Sequence, residues 1–260
     1  MVNVPPSFLS VPDRAGKPRR TGITHVLDKG MSAAECESLL GVSGRFIDVW
    51  KFGWGTAYLD PGLEAKLSLL EQHGVLACTG GTLLEVAWLQ GVVADYLDWA
   101  STIRFPCVEV SCGAVSMTAP QKRSLIEAAA ERFIVLGEIG AKDPRVAVSP
   151  SEWAVAAAAD LEAGATWVVT EGRESGTVGL FDPAGEVRVD VVEAVVDAIG
   201  LDSTVFEAPR KDQQAWLIRR FGADVNLGNV APSEGLALEA LRLGLRSDTL
   251  ASAERRAGRR

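Results

Sequence analysis

Eight apolar runs in this chain each end in a short cluster of charged, hydroxyl or glycine residues. The densest is Asp48-Val-Trp-Lys-Phe-Gly-Trp-Gly-Thr56, a buried strand that closes on Lys51, Gly53, Gly55 and Thr56. The others close on Asp28-Lys29-Gly30, Thr79-Gly80-Gly81-Thr82, Glu109-Val110-Ser111-Cys112-Gly113, Glu138-Ile139-Gly140, Thr170-Glu171-Gly172-Arg173, Phe206-Glu207-Ala208-Pro209 and Asn226-Leu227-Gly228-Asn229. Pooled with Glu85, Lys142, Glu174, Arg210 and Lys211, these ends supply several carboxylates and several cations. Carboxylates in oxygen-only company suit Mg²⁺, which keeps waters and takes one or two carboxylates plus oxygens of a substrate. Cations beside glycine-freed backbone N–H groups suit phosphate and carboxylate. Together they describe a small phosphorylated acid bound with Mg²⁺. The plainer alternative is that inward Lys and Glu residues of a barrel simply pair with one another.

Individual residues sharpen this. Lys51 on an apolar strand needs a partner, because lysine is almost never buried unpaired; Asp48, upstream and read as lying on the same face of the strand, is the partner expected. Arg173, in Glu171-Gly-Arg-Glu-Ser-Gly176, is flanked by glycines at the start of the longest loop, and reads as a bidentate clamp on phosphate or carboxylate. Cys112 has no local base and reads as a small buried residue. His25 reads as a satisfied structural histidine, and His73 as a helix-end residue. Of the seven tryptophans only Trp54 lies in a strand-end loop.

The elements that position these ends alternate regularly. Strands are expected at Ile23–Leu27, Phe46–Lys51, Val75–Cys78, Cys107–Val110, Phe133–Leu136, Thr166–Val169, Thr204–Phe206 and Asp224–Leu227. Helices fall between them: one capped by Ser32 with Glu35 three residues on, one opened by Pro61 and stopped by Gly74, one from Thr118-Ala-Pro120, one capped by Ser151, and others over 189–199, 209–221 and 233–243. Short strands that are apolar on both faces and separated by helices belong to a covered parallel sheet. Eight such units predict a closed (β/α)8 TIM barrel as a single domain over residues 21–250, with its site at the C-terminal strand ends. Residues 1–20 and 251–260 read as tails, the first packing along a neighbour or the barrel's bottom. No G-x-G-x-x-G follows the first strand, which argues against a dinucleotide fold.

Composition narrows the function classes. The chain has 260 residues and a net charge of −8, which disfavours nucleic acid and anionic membranes as partners. Cys36, Cys78, Cys107 and Cys112 show no metal spacing and read as free thiols, and two histidines make a histidine-based zinc site or triad improbable. No apolar run reaches membrane-span length and no basic-then-apolar leader opens the sequence, so a cytoplasmic location is expected.

The strand ends, in this order, resemble the phosphosulfolactate synthase family. The matching segments are Asp28-Lys29-Gly30, Lys51-Phe-Gly-Trp-Gly-Thr56, Gly80-Gly-Thr-Leu83 with Glu85, Glu138-Ile-Gly140, Glu171-Gly-Arg-Glu-Ser-Gly176 with Gly179-Leu-Phe-Asp182, Phe206-Glu-Ala-Pro209 with Lys211 and Gln213-Gln214, Val225-Asn-Leu227 with Asn229, and Gly244-Leu-Arg246 with Asp248-Thr249. The resemblance implies a homo-oligomeric, Mg²⁺-dependent carbon–sulfur lyase of coenzyme M biosynthesis that adds sulfite to phosphoenolpyruvate, giving (2R)-phospho-3-sulfolactate. On that expectation Lys142 or Lys51 donates the proton. Glu138, Glu171 and Glu207 hold the metal, and Lys29, Thr56, Thr82, Arg173, Arg210, Lys211 and Asn229 bind the substrate anions. The chain departs from the family pattern at Cys112 (usually Asp), Ala141 (usually Lys), Thr79 (often Pro) and Arg210 (often Gln). These departures leave two alternatives open: a different nucleophile adding to phosphoenolpyruvate, or a non-catalytic, stress-associated barrel.

Overall fold

The structure, a computed structural model, describes residues 8–141 and 148–250. Eight parallel strands close in sequential order into a barrel: β1 (Thr24–Asp28), β2 (Val49–Phe52), β3 (Leu76–Thr79), β4 (Cys107–Val110), β5 (Ile134–Ile139), β6 (Trp167–Thr170), β7 (Thr204–Glu207) and β8 (Asn226–Val230). Outside it run α1 (Ala33–Ser43), α2 (Thr56–Leu59), α3 (Leu63–Gln72), α4 (Gly81–Leu89), α5 (Val93–Thr102), α6 (Ala119–Ala130), α7 (Pro150–Glu162), α8 (Val189–Ile199), α9 (Lys211–Phe221) and α10 (Gly235–Arg242). The expected (β/α)8 architecture is the one observed.

Two apolar layers account for it. The larger packs outward-facing strand residues such as Trp50, Phe52, Val108 and Phe206 against the helices. A smaller cluster takes Ile23, just before β1, and one residue from each of β2 to β7 (Val49, Cys78, Cys107, Leu136, Val169 and Val205), and fills the barrel's interior. Side chains on a strand alternate between faces, so the residue two positions beyond each plug residue also points inward. Those residues include Lys51, Glu109, Glu138, Glu171 and Glu207.

Several boundaries differ from the sequence expectation. Strand β5 runs to Ile139 and β8 to Val230, each past its first polar residue, and β1 includes Asp28. Asp28 and Glu138 meet a buried lysine there, and Asn226 is held by hydrogen bonds to the Ile23 N–H and the Thr204 carbonyl. Helix α7 is capped by Ser149, not Ser151: Pro150 occupies the first turn and Glu152 completes the capping box. The long loop after β6 is an ordered strap: Phe181 and Val187 form an antiparallel bridge, and Gln213 Nε2 donates to the carbonyls of Gly176 (2.7 Å) and Gly185 (3.2 Å).

Segment 8–20 is anchored across the N-terminal face of the barrel. Arg14 pairs with Asp224 and, at 3.1 Å, with Glu239. Arg19 reaches Asp48 at 3.0 Å. Asp48 also accepts the Thr24 N–H at 2.9 Å, so it closes the bottom of the barrel and is not the partner of Lys51. An odd separation of three residues puts the two on opposite faces of the chain.

Asp28 is likewise turned outward. Its carboxylate pairs with the fully buried Lys66 of α3 at 2.6 Å, and accepts the Trp50 indole N–H and the Gly30 and Met31 amides. Burial pushes the Asp28 carboxyl up, but Lys66 and these donors outweigh it and hold it low. Lys66 also pairs with Asp60 at 2.7 Å. Replacing Lys66 with Met leaves two carboxylates uncompensated against the sheet, and is expected to destabilise the fold by about 3–5 kcal/mol. Urea unfolding of Lys66→Met against wild type measures it, and a loss under about 1 kcal/mol contradicts a structural role for this pair.

Candidate active site

At the C-terminal strand ends a cavity of about 450 Å³ is lined by Leu27, Lys51, Trp54, Gly80, Thr82, Glu109, Gly113, Ala114, Glu138, Glu171, Arg173, Glu174, Glu207 and Asn229. Its centre is Lys51. The ammonium lies 2.9 Å from Glu207 Oε1, 3.0 Å from Glu109 Oε2 and 3.9 Å from Glu138 Oε2. All four residues are buried. The remaining oxygens of Glu109 and Glu207 reach outward to the loops. Glu109 Oε1 accepts the Gly81 N–H (2.8 Å), and Glu207 Oε2 accepts those of Gly172 (2.9 Å) and Arg173 (3.1 Å). Glu171 Oε1 accepts the Arg173 N–H at 2.7 Å.

Glycines make these approaches possible. A Cβ on Gly172 would lie 2.7 Å from the Glu207 carbonyl, and one on Gly81 2.3 Å from Ser111 Oγ. Non-glycine residues with left-handed backbones are Trp54, Arg104, Arg173 and Asn229 among the described residues; all but Arg104 line the cavity. Left-handed backbone is uncommon outside glycine, and where it clusters it marks sites the surroundings over-determine. Asn229 also carries a buried Oδ1 with no hydrogen-bond partner, on the cavity wall.

The electrostatics follow from the geometry. Burial alone would lower the Lys51 pKa, but Glu109, Glu207 and Glu138 outweigh it and raise it well above the ordinary lysine value. Burial raises the Glu109 carboxyl to about 7; Lys51 opposes this, while Glu138 and Glu207 reinforce it. Beneath them, level with Val49, His25 is buried with neither ring nitrogen bonded. Burial first, and Lys51 second, hold it neutral, so the expected satisfied histidine is instead an unsatisfied one. Gly228 leaves room for its ring: a Cβ there would sit 2.8 Å from Nδ1.

The lining carries five carboxylates (Glu109, Glu138, Glu171, Glu174, Glu207) against two cations (Lys51, Arg173) among the described residues. No group of three or more His, Cys, Asp or Glu side chains among those residues is close enough to chelate a metal unaided. Lys51 stands between the carboxylates and spaces them. Mg²⁺ does not need such a cage, since one or two carboxylates with waters and substrate oxygens hold it. The excess negative charge of the lining therefore fits a bound cation of that kind.

Of the residues expected from sequence, Lys51, Thr82, Glu138, Glu171, Arg173, Glu207 and Asn229 line this cavity, and Lys29 lines an adjoining one of about 440 Å³ that shares Leu27, Glu174 and Asn229. Thr56 is turned to the Gly53 carbonyl, Arg210 pairs with Asp212, and Lys211 pairs with Asp248; none of these three lines either cavity. Lys142 lies outside the described residues. Sequence reasoning gave Glu109 no role, although its place two residues beyond Cys107 on an inward face was the available signal. A wider recess of about 680 Å³ opens near Pro18 and Gly74, at the opposite end from the strand C-termini.

Fold and site together define a barrel enzyme acting on a small molecule at its C-terminal face. The particular family follows from comparison. Residues 12–248 match the (2R)-phospho-3-sulfolactate synthase family, and the chain belongs to it. It is 42% identical over 245 residues to the phosphosulfolactate synthase of Methanothermobacter thermautotrophicus, covering 92% of this chain and 95% of that protein. It is 38% identical to the Bacillus subtilis phosphosulfolactate synthase, covering 93% and 97%. A more distant relative, the Arabidopsis thaliana protein HEAT-STRESS-ASSOCIATED 32, is 25% identical over 91% of each chain. Among solved structures, a 3-hexulose-6-phosphate synthase shares the fold with a TM-score of 0.55 at 16% identity, covering 84% of this chain and 99% of its own.

The raised Glu109 pKa has a consequence for stability. The folded protein holds a proton that the unfolded chain releases between about pH 4.5 and 7. The stability of wild type relative to Glu109→Gln is therefore expected to be greatest below about pH 4.5 and to fall as pH rises through about 7. Urea midpoints of both proteins from pH 5 to 8 check this, and a difference that is flat across the range contradicts it.

Proposed function

We propose that this enzyme adds sulfite to phosphoenolpyruvate in a Mg²⁺-dependent reaction. The observation that carries the reading is one cavity in which Lys51, Arg173 and the carboxylates of β4 to β7 converge, in a chain of this family. The sulfur lone pair attacks the methylene carbon. The carbon–carbon π electrons move toward C2 and the carboxylate, and C2 then takes a proton. Glu138, Glu171 and Glu207 are the carboxylates that would hold Mg²⁺, which when bound would supply positive charge where the substrate's carboxylate gains electron density.

Arg173 sits at the cavity wall with its backbone N–H held between Glu171 and Glu207, and its guanidinium is the group suited to the substrate's anionic groups. Lys51 keeps its proton because Glu109 and Glu207 hold it charged, so its part is electrostatic and the proton donor is Lys142. The positions of two departing residues support sulfite over a different nucleophile. Cys112 and Arg210, two departures from the family pattern, do not line the cavity, and burial raises the Cys112 thiol pKa.

Two measurements test the reading. Following ³¹P spectra of the protein with phosphoenolpyruvate and Mg²⁺, a new phosphate-ester signal is expected only when sulfite is added; consumption without sulfite, or none with it, rejects the proposal. Lys142→Ala is expected to lower kcat by about 10²–10⁴-fold while phosphoenolpyruvate still binds. Unchanged turnover removes Lys142 from the donor role.

A further inference from the structure

Trp54 stands apart from the other tryptophans. All seven lie in the described residues, and it alone is exposed, at 45%, while Phe52 at the end of β2 is fully buried. It lines the cavity, and its backbone is left-handed, with φ at 55°. For a bulky side chain that conformation is an outlier, and it persists only where the surroundings fix it. Core packing does not account for it, because nearly half of the residue remains open to solvent.

The turn that carries it is held from both sides. The Gly53 N–H donates to the Asp28 carbonyl at 2.8 Å, and the Gly80 N–H donates to the Phe52 carbonyl at 2.9 Å. A Cβ on Gly80 would stand 2.7 Å from the Phe52 carbonyl oxygen and 3.0 Å from the Trp54 nitrogen; one on Gly53 would stand 2.8 Å from Leu27 Cδ1. Backbone contacts from β1 and from the turn after β3 thus pin an exposed aromatic residue at the edge of the cavity.

The lining is also divided by polarity. Its apolar side chains are Leu27, Trp54 and Ala114. Leu27 and Trp54 belong to β1 and to the turn after β2, two paired strands. The carboxylates and Arg173 come from β4 to β7 and the turn after β6. Phosphoenolpyruvate has the same division: one carbon carries the phosphate ester and the carboxylate, and the next is a bare methylene. An uncharged methylene gains from leaving water for an apolar wall.

We propose that Trp54 is a specificity-determining residue whose indole packs against the methylene carbon of phosphoenolpyruvate, the carbon that receives the nucleophile. This rests on the reading of the site given above. Cover on one face of that planar carbon leaves the opposite face open to attack.

Calorimetry on the full chain with Mg²⁺ present compares phosphoenolpyruvate with phosphoglycolate, which carries the phosphate and the carboxylate but lacks the methylene carbon. Trp54→Ala is expected to weaken phosphoenolpyruvate binding by about 10-fold or more, and phosphoglycolate binding by less than about threefold, since one hydrocarbon group in an apolar pocket is worth about that much. Trp54→Phe keeps an aromatic face and is expected to recover most of the loss. Trp54→Gly adopts the left-handed backbone freely; it is expected to hold the wild-type urea midpoint and to show the same selective loss. A merely structural role weakens both ligands alike, and that result overturns the proposal. Unchanged phosphoenolpyruvate affinity in the Ala or Gly variant overturns it, as does a Phe variant no better than Ala. If wild type binds phosphoenolpyruvate but does not join it to sulfite, the proposed reaction falls, and the two-ligand comparison still decides the role of Trp54. A wild-type protein that binds neither ligand overturns both.

Discussion

A single buried ammonium organises the catalytic face. Lys51 leaves β2 pointing into the barrel, where desolvating a charge costs several kcal/mol unless it is paired. Glu109 of β4 and Glu207 of β7 pair with it from opposite sides, at 3.0 and 2.9 Å. Each partner then uses its other oxygen on a different loop: Glu109 on the turn after β3, Glu207 on the turn after β6. One charge thus couples five strand ends. Removing any member leaves buried charges uncompensated, so the geometry of the site and the closure of the barrel's mouth are the same constraint.

That constraint works because of what lies underneath. Val49, Cys107, Leu136, Val169 and Val205 form an apolar floor two residues before Lys51, Glu109, Glu138, Glu171 and Glu207. The alternation of a strand therefore stacks a dry layer below a charged one, and water cannot enter from the bottom to dissipate the field. The left-handed backbones of Trp54, Arg173 and Asn229 belong to the same design. Each turns the chain sharply at a strand end, and for Arg173 the strained turn is what brings its N–H between two carboxylates.

The barrel was legible because its evidence is local. Apolar runs that close on polar or glycine clusters recur eight times, and capping boxes mark several of the helices between them, so each signal can be read without the others. The lining residues were legible for the same reason: Lys51, Glu138, Glu171, Arg173 and Glu207 stand at the ends of their own runs. What stayed hidden depends on facing. Asp28 and Glu138 end their strands in similar-looking motifs, yet Asp28 turns out to Lys66 and Glu138 turns in toward Lys51. Parity with the plug residues decides this, and parity requires the register. Long-range partners were hidden more deeply. Nothing near Lys51 in sequence announces Glu109 or Glu207. Thr56, Arg210 and Lys211 were drawn in by proximity to matching motifs, but their side chains serve the local turn or pair with Asp212 and Asp248.

The sign of the cavity also constrains how the proposed reaction must be assembled. Five lining carboxylates against Lys51 and Arg173 leave the described walls negative, and phosphoenolpyruvate is itself an anion at both ends. Such a substrate gains little from this cavity alone, and a divalent cation held by one or two carboxylates gains much from a ligand that completes its oxygen shell. Each therefore raises the affinity of the other by the same factor, as linkage requires. Lys51 cannot relieve the imbalance, because Glu109 and Glu207 have already spent its charge. The pairing that builds the mouth of the barrel would thus make a bound divalent cation and the substrate interdependent.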